Sequence, residues 1–239
     1  MLYLYLTMFV RQFRYSRDNL GYFLYSQKQG IAIDSGAPED IINFAKKNEI
    51  EIKYITNTHS HYDHISGNEE LIKKTDAKFI DCATIKSDES IIVGNEVIKV
   101  FSVPGHTKDS IAFHVDGFLI TGDTLFNGTV GNCFTGDLKS FFKSLKCLIN
   151  YPENTIVYGG HDYVLESMDV ARSIENDNIY IDEYIKKYNP DLIQSRLKDE
   201  LRVNPYIKFN DPKMEMILKD LNLPVENEFE RFKSIMDEF

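Results

Sequence analysis

Short apolar runs alternate with helical stripes along the first two thirds of the chain. Runs rich in Tyr, Phe, Ile, Val and Leu predict opening antiparallel strands over 1–10 and 22–34, since these residue types favour strands. Pro38 fits the first turn of a helix that apolar spacing extends to about Asn48. The later predicted elements are strands over 51–58, 77–80, 96–103, 111–115, 118–121 and 155–158, and helices over 68–74 and 138–149. Strands interleaved with helices are typical of an α/β fold.

From residue 166 onward, the alternation typical of strands disappears and the apolar residues follow a helical spacing. The predicted helices of this part cover 168–174, 179–188, 192–201, 212–221 and 225–236. We therefore expect two domains, an α/β domain over 1–165 and a C-terminal helical domain over 166–239.

The composition narrows the class of protein. The 239 residues are 43% hydrophobic and 27% charged, which is typical of a folded globular chain. A net charge of −10 argues against broad contact with nucleic-acid phosphates. The apolar run over 1–10 is too short to span a membrane and has no basic start, so we expect a cytoplasmic protein. Three cysteines without a C-x-x-C spacing predict reduced thiols, at Cys82, Cys133 and Cys147.

The segment that follows the predicted strand over 51–58 concentrates potential metal ligands. His59 and His61 are two residues apart, so on an extended segment both imidazoles point to the same side and can chelate one ion. Asp63 and His64 lie past a bend and can face a second ion. An open tetrahedral site takes three protein ligands, so this segment favours two adjacent metals and predicts further ligands downstream.

Three later residues offer those ligands, and each of them follows a predicted strand and lies beside a glycine. They are His106, Asp123 and His161. Glycine permits the tight turn that directs such a side chain into a shared cleft. His114, the remaining histidine, lies inside a predicted strand, and we interpret it as a packed or exposed side chain.

In order and spacing, these ligands resemble the metallo-β-lactamase superfamily. The resemblance implies an αββα sandwich of two mixed sheets, with metals at one edge. Within the superfamily the chain is most similar to the glyoxalase II family, the hydroxyacylglutathione hydrolases, and the similarity covers nearly the whole chain. It includes Asp18-Asn19, Gly122-Asp123-Thr124-Leu125-Phe126, Gly160-His161-Asp162-Tyr163 and Asn204-Pro205-Tyr206. The implied activity is metal-dependent thioester hydrolysis.

The resemblance also implies a role for each ligand. The two sets are His59, His61 and His106 for one metal, Asp63, His64 and His161 for the other, and Asp123 as the bridge. Asp63 and Asp123 would then serve catalysis as well as metal binding. A hydroxide bridging the two metals would attack the acyl-thiol, because coordination lowers the pKa of water towards about 7. The expected cofactors are two divalent metal ions, with zinc first and iron or manganese as alternatives.

Other positions are implied to support the site or to contact the substrate. Asp34 at a strand end is expected to orient a ligating histidine, with a simple turn aspartate as the alternative. Tyr163 matches a tyrosine that follows the last metal histidine, and Lys208 stands where the family has arginine. Asn132 and Phe134 replace a lysine and a tyrosine that recognise glutathione, which leaves the thiol carrier open.

The expected partner is a small thioester substrate, a conjugate of glutathione or of another acidic thiol. The helical domain is implied to recognise it through a basic surplus over 186–219, for which a solvated helical face is the alternative. No nucleic-acid or membrane partner is expected, and the chain is expected to be a monomer or a homodimer.

Two other functions stay open. Persulfide dioxygenases of the same superfamily use a single iron, and there His61, His106 and Asp123 would form a triad open to oxygen. Those enzymes carry Arg-Thr-Asp-Phe where this chain has Asn-Cys-Phe-Thr over 132–135, which disfavours them. A non-enzymatic binding module would need a vestigial ligand set, whereas all seven positions are filled.

Overall fold

The computed structural model describes residues 8–85, 88–115 and 117–239, so most of the first predicted strand lies outside the described residues. The chain divides into two compact units. The first unit comprises Met1–Ser102 and Asp109–Gly122, and the second comprises Val103–Lys108 and Asp123–Phe239. The division into domains at residue 165 stays a prediction.

The first unit begins with a five-stranded mixed sheet. Its strands are β1 (Phe9–Tyr15), β2 (Asn19–Ser26), β3 (Gln29–Ile33), β4 (Glu51–Thr56) and β5 (Lys78–Phe79), in that order. The first three strands pair antiparallel, whereas β3, β4 and β5 pair in parallel. The helices of this unit lie in the crossovers, as parallel pairing requires. They are α1 (Pro38–Lys47), α2 (Tyr62–Ile65) and α3 (Asn68–Lys74).

Four antiparallel strands complete the first unit. They are β6 (Ser90–Val93), β7 (Glu96–Ser102), β8 (Ile111–Val115) and β9 (Phe118–Gly122). These strands lie against the first sheet, where the backbone N–H of Gly94 donates to Oε1 of Gln29 at 3.3 Å. His114 lies within β8 opposite Leu119, in the strand where the sequence placed it.

The core of the first unit forms between α1 and the first sheet. Ile41, Ile42 and Ala45 share one face of α1 and pack with Phe23 and Ile55 from the strands. The helix has acidic residues in its first turn and basic residues in its last turn, which complements the helix dipole. The predicted helices over 38–48 and 68–74 are thereby confirmed.

The second unit is mostly helical. Its elements are α4 (Leu138–Ile149), β10 (Ile156–Gly159), α5 (Val164–Ile174), α6 (Tyr180–Lys187), β11 (Ser195–Arg196), α7 (Leu197–Val203), α8 (Pro212–Asp220) and α9 (Glu228–Glu238). Aromatic rings of several elements and loops form its core, with Phe142 in contact with Phe209 and Phe232 at ring-centroid distances of 5.0 and 5.2 Å. None of the helices in the described ranges is long and apolar enough to cross a membrane.

The structure corrects the sequence prediction in the second unit. The helix predicted over 192–201 begins only at Leu197, because Ser195 and Arg196 pair with Val157 and Ile156 of β10 instead. A two-residue strand without apolar side chains leaves no periodic signal. The strand β6 and the short helix α2 were also absent from the prediction.

The α1 core gives a first test of the packing. Replacing Ile41, which is fully buried, with Ala should lower the free energy of unfolding by about 2–5 kcal/mol, because the cavity adds to the lost burial. Ile72 on α3 is 43% exposed, so Ile72→Ala should change the free energy of unfolding by no more than about 0.5 kcal/mol. Equal effects in urea unfolding would contradict this core.

Candidate metal centre

The first histidine pair converges at the end of β4. His59 is buried and His61 is half-buried, and Nε2 of His59 lies 3.0 Å from Nδ1 of His61. The two residues flank a single position of extended chain, so both rings reach the same side, as the sequence predicted. Two ring nitrogens at this separation fit adjacent ligands on one ion.

The helix α2 presents the second pair. Oδ2 of Asp63 lies 3.5 Å from Nε2 of His64. Asn19, the first residue of β2, donates its side-chain N–H to the same Oδ2 at 2.7 Å. That hydrogen bond helps to fix the orientation of the Asp63 carboxylate.

A buried aspartate joins these ligands. Asp34 has a φ of +54° and is completely buried at the end of β3. Its carboxylate accepts hydrogen bonds from the backbone N–H of Thr58 at 2.7 Å and from the Thr58 hydroxyl at 2.8 Å. Nδ1 of His64 lies 3.0 Å from its Oδ2. These contacts place Asp34 where it can orient His64 through the ring nitrogen that faces away from Asp63.

The same aspartate reaches His59 through Thr58. The Thr58 hydroxyl gives its only hydrogen to Asp34, so it faces Nδ1 of His59, 3.1 Å away, with a lone pair. His59 therefore carries its proton on Nδ1, and its Nε2 keeps a lone pair for a metal. A single carboxylate thus orients two of the candidate ligands.

The second unit contains the other three candidates, all buried. Oδ2 of Asp123 lies 3.5 Å from Nε2 of His106 and 3.4 Å from Nε2 of His161. Nδ1 of His106 lies 2.9 Å from the carbonyl oxygen of Asn132. A carbonyl only accepts, so this contact places the proton of His106 on Nδ1 and leaves Nε2 for a ligand.

Glycine is required beside this cluster. A Cβ atom on Gly131 would lie 1.8 Å from the carbonyl oxygen of Asp123 and 3.2 Å from Nδ1 of His106. Any other residue would displace the backbone of Asp123 and press on the ring of His106. Gly131 was absent from the predicted site, because a glycine next to an ordinary loop gives no signal of its own.

The residues implied in substrate binding all lie in the second unit. Tyr163 stacks on His161, with ring centroids 5.1 Å apart and an interplanar angle of 4°. Phe134 is 66% exposed and its ring lies 5.1 Å from that of His106, while the Asn132 side chain is exposed. Lys208 is buried and pairs with the buried Glu175 at 2.5 Å. Lys208 therefore does not lie on a solvated helical face.

Sequence patterns missed two supporting contacts. Asn19 had no assigned role, although its place in the Asp18-Asn19 pair was a signal that could have found it. The hydroxyl of Tyr188 donates to Oδ2 of Asp162 at 2.9 Å, which ties the residue after His161 to the segment after α6. Nothing in the sequence around Tyr188 indicates this contact.

The spacing of these groups fits divalent metals. Metal–nitrogen and metal–oxygen bonds of about 2.0–2.1 Å in a tetrahedron place neighbouring ligand atoms roughly 3.3–3.4 Å apart. The four ligand pairs within the units lie 3.0, 3.5, 3.5 and 3.4 Å apart. Imidazole and carboxylate groups at this spacing suit zinc, iron or manganese.

The sequence profile of the metallo-beta-lactamase superfamily matches residues 19–87 and 84–161. The chain belongs to that superfamily. A hydroxyacylglutathione hydrolase from Pelagibacter ubique is 32% identical over 236 residues, covering 90% of this chain and 98% of that protein. A hydroxyacylglutathione hydrolase from Prochlorococcus marinus is 33% identical over 217 residues, covering 80% and 86%. Both of these relatives are hydroxyacylglutathione hydrolases, and the resemblance inferred from the ligands is confirmed.

Solved structures share the fold of this chain. The crystal structure of ETHE1 from Myxococcus xanthus matches with a TM-score of 0.66 at 22% identity, covering 95% of this chain and 99% of that chain. The BLEG-1 B3 metallo-beta-lactamase matches with a TM-score of 0.63 at 19% identity, covering 83% and 99%. At these identities the matches show the fold alone. They confirm the predicted α/β fold of metallo-β-lactamase type with C-terminal helices.

Asp34 gives a test of the first cluster. Asp34→Ala leaves the Thr58 N–H and hydroxyl and the His64 ring facing a cavity, so the free energy of unfolding should fall by about 3–5 kcal/mol. Asp34→Asn keeps one acceptor oxygen and tolerates a positive φ, so its free energy of unfolding should fall less than that of Asp34→Ala. The exposed Asp76→Ala is the control. Urea unfolding that treats Asp34→Ala and Asp76→Ala alike would contradict the role of this carboxylate.

Proposed function

We propose that the chain hydrolyses thioesters of a small acidic thiol at a centre of two divalent metal ions. The observation that supports this most directly is the set of His and Asp pairs at metal-ligand spacing in both units. Every candidate ligand group among the described residues draws on the seven residues that the sequence singled out. The identity of 32% to a hydroxyacylglutathione hydrolase over nearly its whole length favours thioesters as the substrate class.

The proposed assignment follows the family pattern. The ligands are His59, His61 and His106 for one ion, Asp63, His64 and His161 for the other, and Asp123 for both. Asp123 suits the bridging role because one of its oxygens already faces the ring nitrogens of two histidines. We propose zinc as the metal, in a cytoplasmic protein that is a monomer or a homodimer.

Bound metals would supply a water of lowered pKa and would polarise the substrate carbonyl. The residues of the chain would fix the orientation of the histidine rings that bind the metals. Asp34 and Thr58 hold the tautomer of His59, and the Asn132 carbonyl holds that of His106, so neither ring has to reorganise as charge develops. A thiol with a pKa of about 8.5 leaves as a thiolate, so a thioester requires no proton donor from the chain.

The substrate contacts are proposed in the second unit. Tyr163 is held by stacking on His161, and Phe134 presents an exposed ring beside His106. Asn132 has its backbone engaged by His106 and its side chain exposed, where it can face a ligand. Lys208 is a further proposed contact, with Glu175 competing for its ammonium group.

The bridging role of Asp123 gives a direct test. Asp123→Ala should lower kcat/KM for thioester hydrolysis by at least about 100-fold, because even residues that only support metal ligands contribute about 10–100-fold. Metal analysis should show fewer than the two ions expected for the unaltered protein. The exposed Asp220→Ala is the control and should behave like the unaltered protein.

Two outcomes would contradict the proposal. Near-normal turnover in Asp123→Ala would remove Asp123 from the centre. An active protein that never binds more than one metal and consumes oxygen with a persulfide would favour the dioxygenase alternative.

The thiol carrier can be tested at two positions. Asn132→Lys with Phe134→Tyr adds a charge and a hydroxyl, and one charged hydrogen bond contributes about 1.5–3 kcal/mol, or roughly tenfold or more in affinity. The double variant should lower KM for glutathione thioesters with little change in kcat, since no metal ligand is altered. A thioester of an uncharged thiol is the control substrate. If the unaltered protein already binds glutathione thioesters tightly and the double variant changes nothing, other residues recognise the carrier.

A further inference from the structure

A tight hairpin directly follows Asp123. Its arms pair through Leu125 and Val130, and the backbone N–H of Phe126 donates to the carbonyl oxygen of Thr129 at 3.0 Å. The tip is formed by residues 127 and 128. The returning arm ends at Gly131, which packs against the carbonyl oxygen of Asp123. The hairpin is therefore in direct contact with the backbone that carries Asp123.

A buried carboxylate holds this tip from α7. Glu200 is completely buried. Its Oε2 accepts hydrogen bonds from the backbone N–H of Gly128 at 2.8 Å and from Nδ2 of Asn204 at 3.3 Å. Its Oε1 accepts a hydrogen bond from the hydroxyl of Tyr184. Nδ2 of Asn204 also donates to the carbonyl oxygen of Thr129 at 3.0 Å, which makes a second tie to the hairpin.

Burial of the Glu200 carboxylate costs free energy unless every one of its hydrogen-bond donors is in place. Burial raises the pKa of the Glu200 carboxyl, and the donors that surround it oppose that rise. A buried carboxylate with several donors is directional, because each oxygen must stay within hydrogen-bond distance of its partners. Glu200 thus fixes the Gly128 backbone relative to α7 more tightly than apolar packing alone would.

Two further contacts hold the tip on its other sides. Gly128 has a φ of +93°, and a Cβ atom there would lie 2.7 Å from Cε of Met168 in α5. Asn127 donates its side-chain N–H to Oγ of Ser195 at 2.7 Å and to the carbonyl oxygen of Val157 at 3.1 Å. The tip therefore fits one position among α5, α7 and the β10–β11 pair.

We propose that Glu200 is a positioning residue for Asp123. By anchoring the hairpin tip, it fixes the carboxylate that faces His106 and His161. The inference rests on the proposed function, in which Asp123 is a metal ligand. It assigns to the C-terminal helices a role in building the metal centre, beyond the recognition of substrate.

The test compares four variants in cobalt(II) binding to the metal-free protein. Glu200→Leu keeps much of the side-chain volume but removes both acceptors, and it should weaken cobalt affinity by about 10–100-fold, the usual effect of losing a residue that supports a ligand. It should also alter the visible cobalt spectrum, because the Asp123 carboxylate is displaced. Glu200→Gln can still accept from Gly128 and should retain most of the affinity.

Tyr184→Phe is the structural control. It removes a buried hydrogen bond to the same carboxylate but leaves both ties to the hairpin, so it should lower the melting temperature without changing cobalt affinity or the spectrum. Equal cobalt affinity in Glu200→Leu and Tyr184→Phe would overturn the proposal, because Glu200 would then be only a structural residue.

Hydrogen exchange of the unaltered, metal-free protein provides an independent measurement. The Gly128 amide should exchange slowly, and rapid exchange at this amide would overturn the proposal even if Glu200→Leu fails to fold. Asn204→Ala, which removes the tie to Thr129, should also weaken cobalt binding, and unchanged binding there would count against the hairpin anchor. A protein that binds two cobalt ions but hydrolyses no thioester would contradict the proposed function and leave this test intact.

Discussion

The buried carboxylate of Asp34 is the constraint on which the first ligand cluster depends. A carboxylate removed from water must be hydrogen-bonded, since an unpaired buried charge costs several kcal/mol. Asp34 meets that requirement with Thr58 and His64, and so it determines the direction of two ligand rings. The left-handed backbone at Asp34 is the conformation that ends β3 with the side chain turned into this cluster.

In the second unit, Glu200 is the buried carboxylate that must be hydrogen-bonded. Glu200 is buried and hydrogen-bonded to a hairpin rather than to the ligands themselves. In both units a buried acidic group accepts hydrogen bonds from a loop near the proposed metal ligands. Fixed ligands lower the reorganisation needed during hydrolysis, which is why supporting residues influence activity without touching the substrate.

The sequence predicted those features that depend on local pattern. The bounds of α3 and α4 followed from apolar spacing, and the seven candidate ligands followed from residue type and from their places after strands. Contacts between distant residues were not predictable from local patterns, even where a residue such as Asn19 belonged to a recognisable pair. Asn19 and Asp63 are 44 residues apart, and Gly128 and Glu200 are 72 apart, so neither pair shares a local motif. β11 was missed for a related reason, because its two polar residues become a strand only by pairing with β10.

The function proposed above depends on two neighbouring metal ions held by the seven candidate ligands. Anomalous diffraction from crystals of the zinc-loaded protein tests it most directly. We expect two peaks separated by about 3.5–4 Å, the usual spacing of two-metal sites, with Asp123 in contact with both ions. A single peak, or two peaks that the seven candidate ligands do not contact, would contradict the proposal.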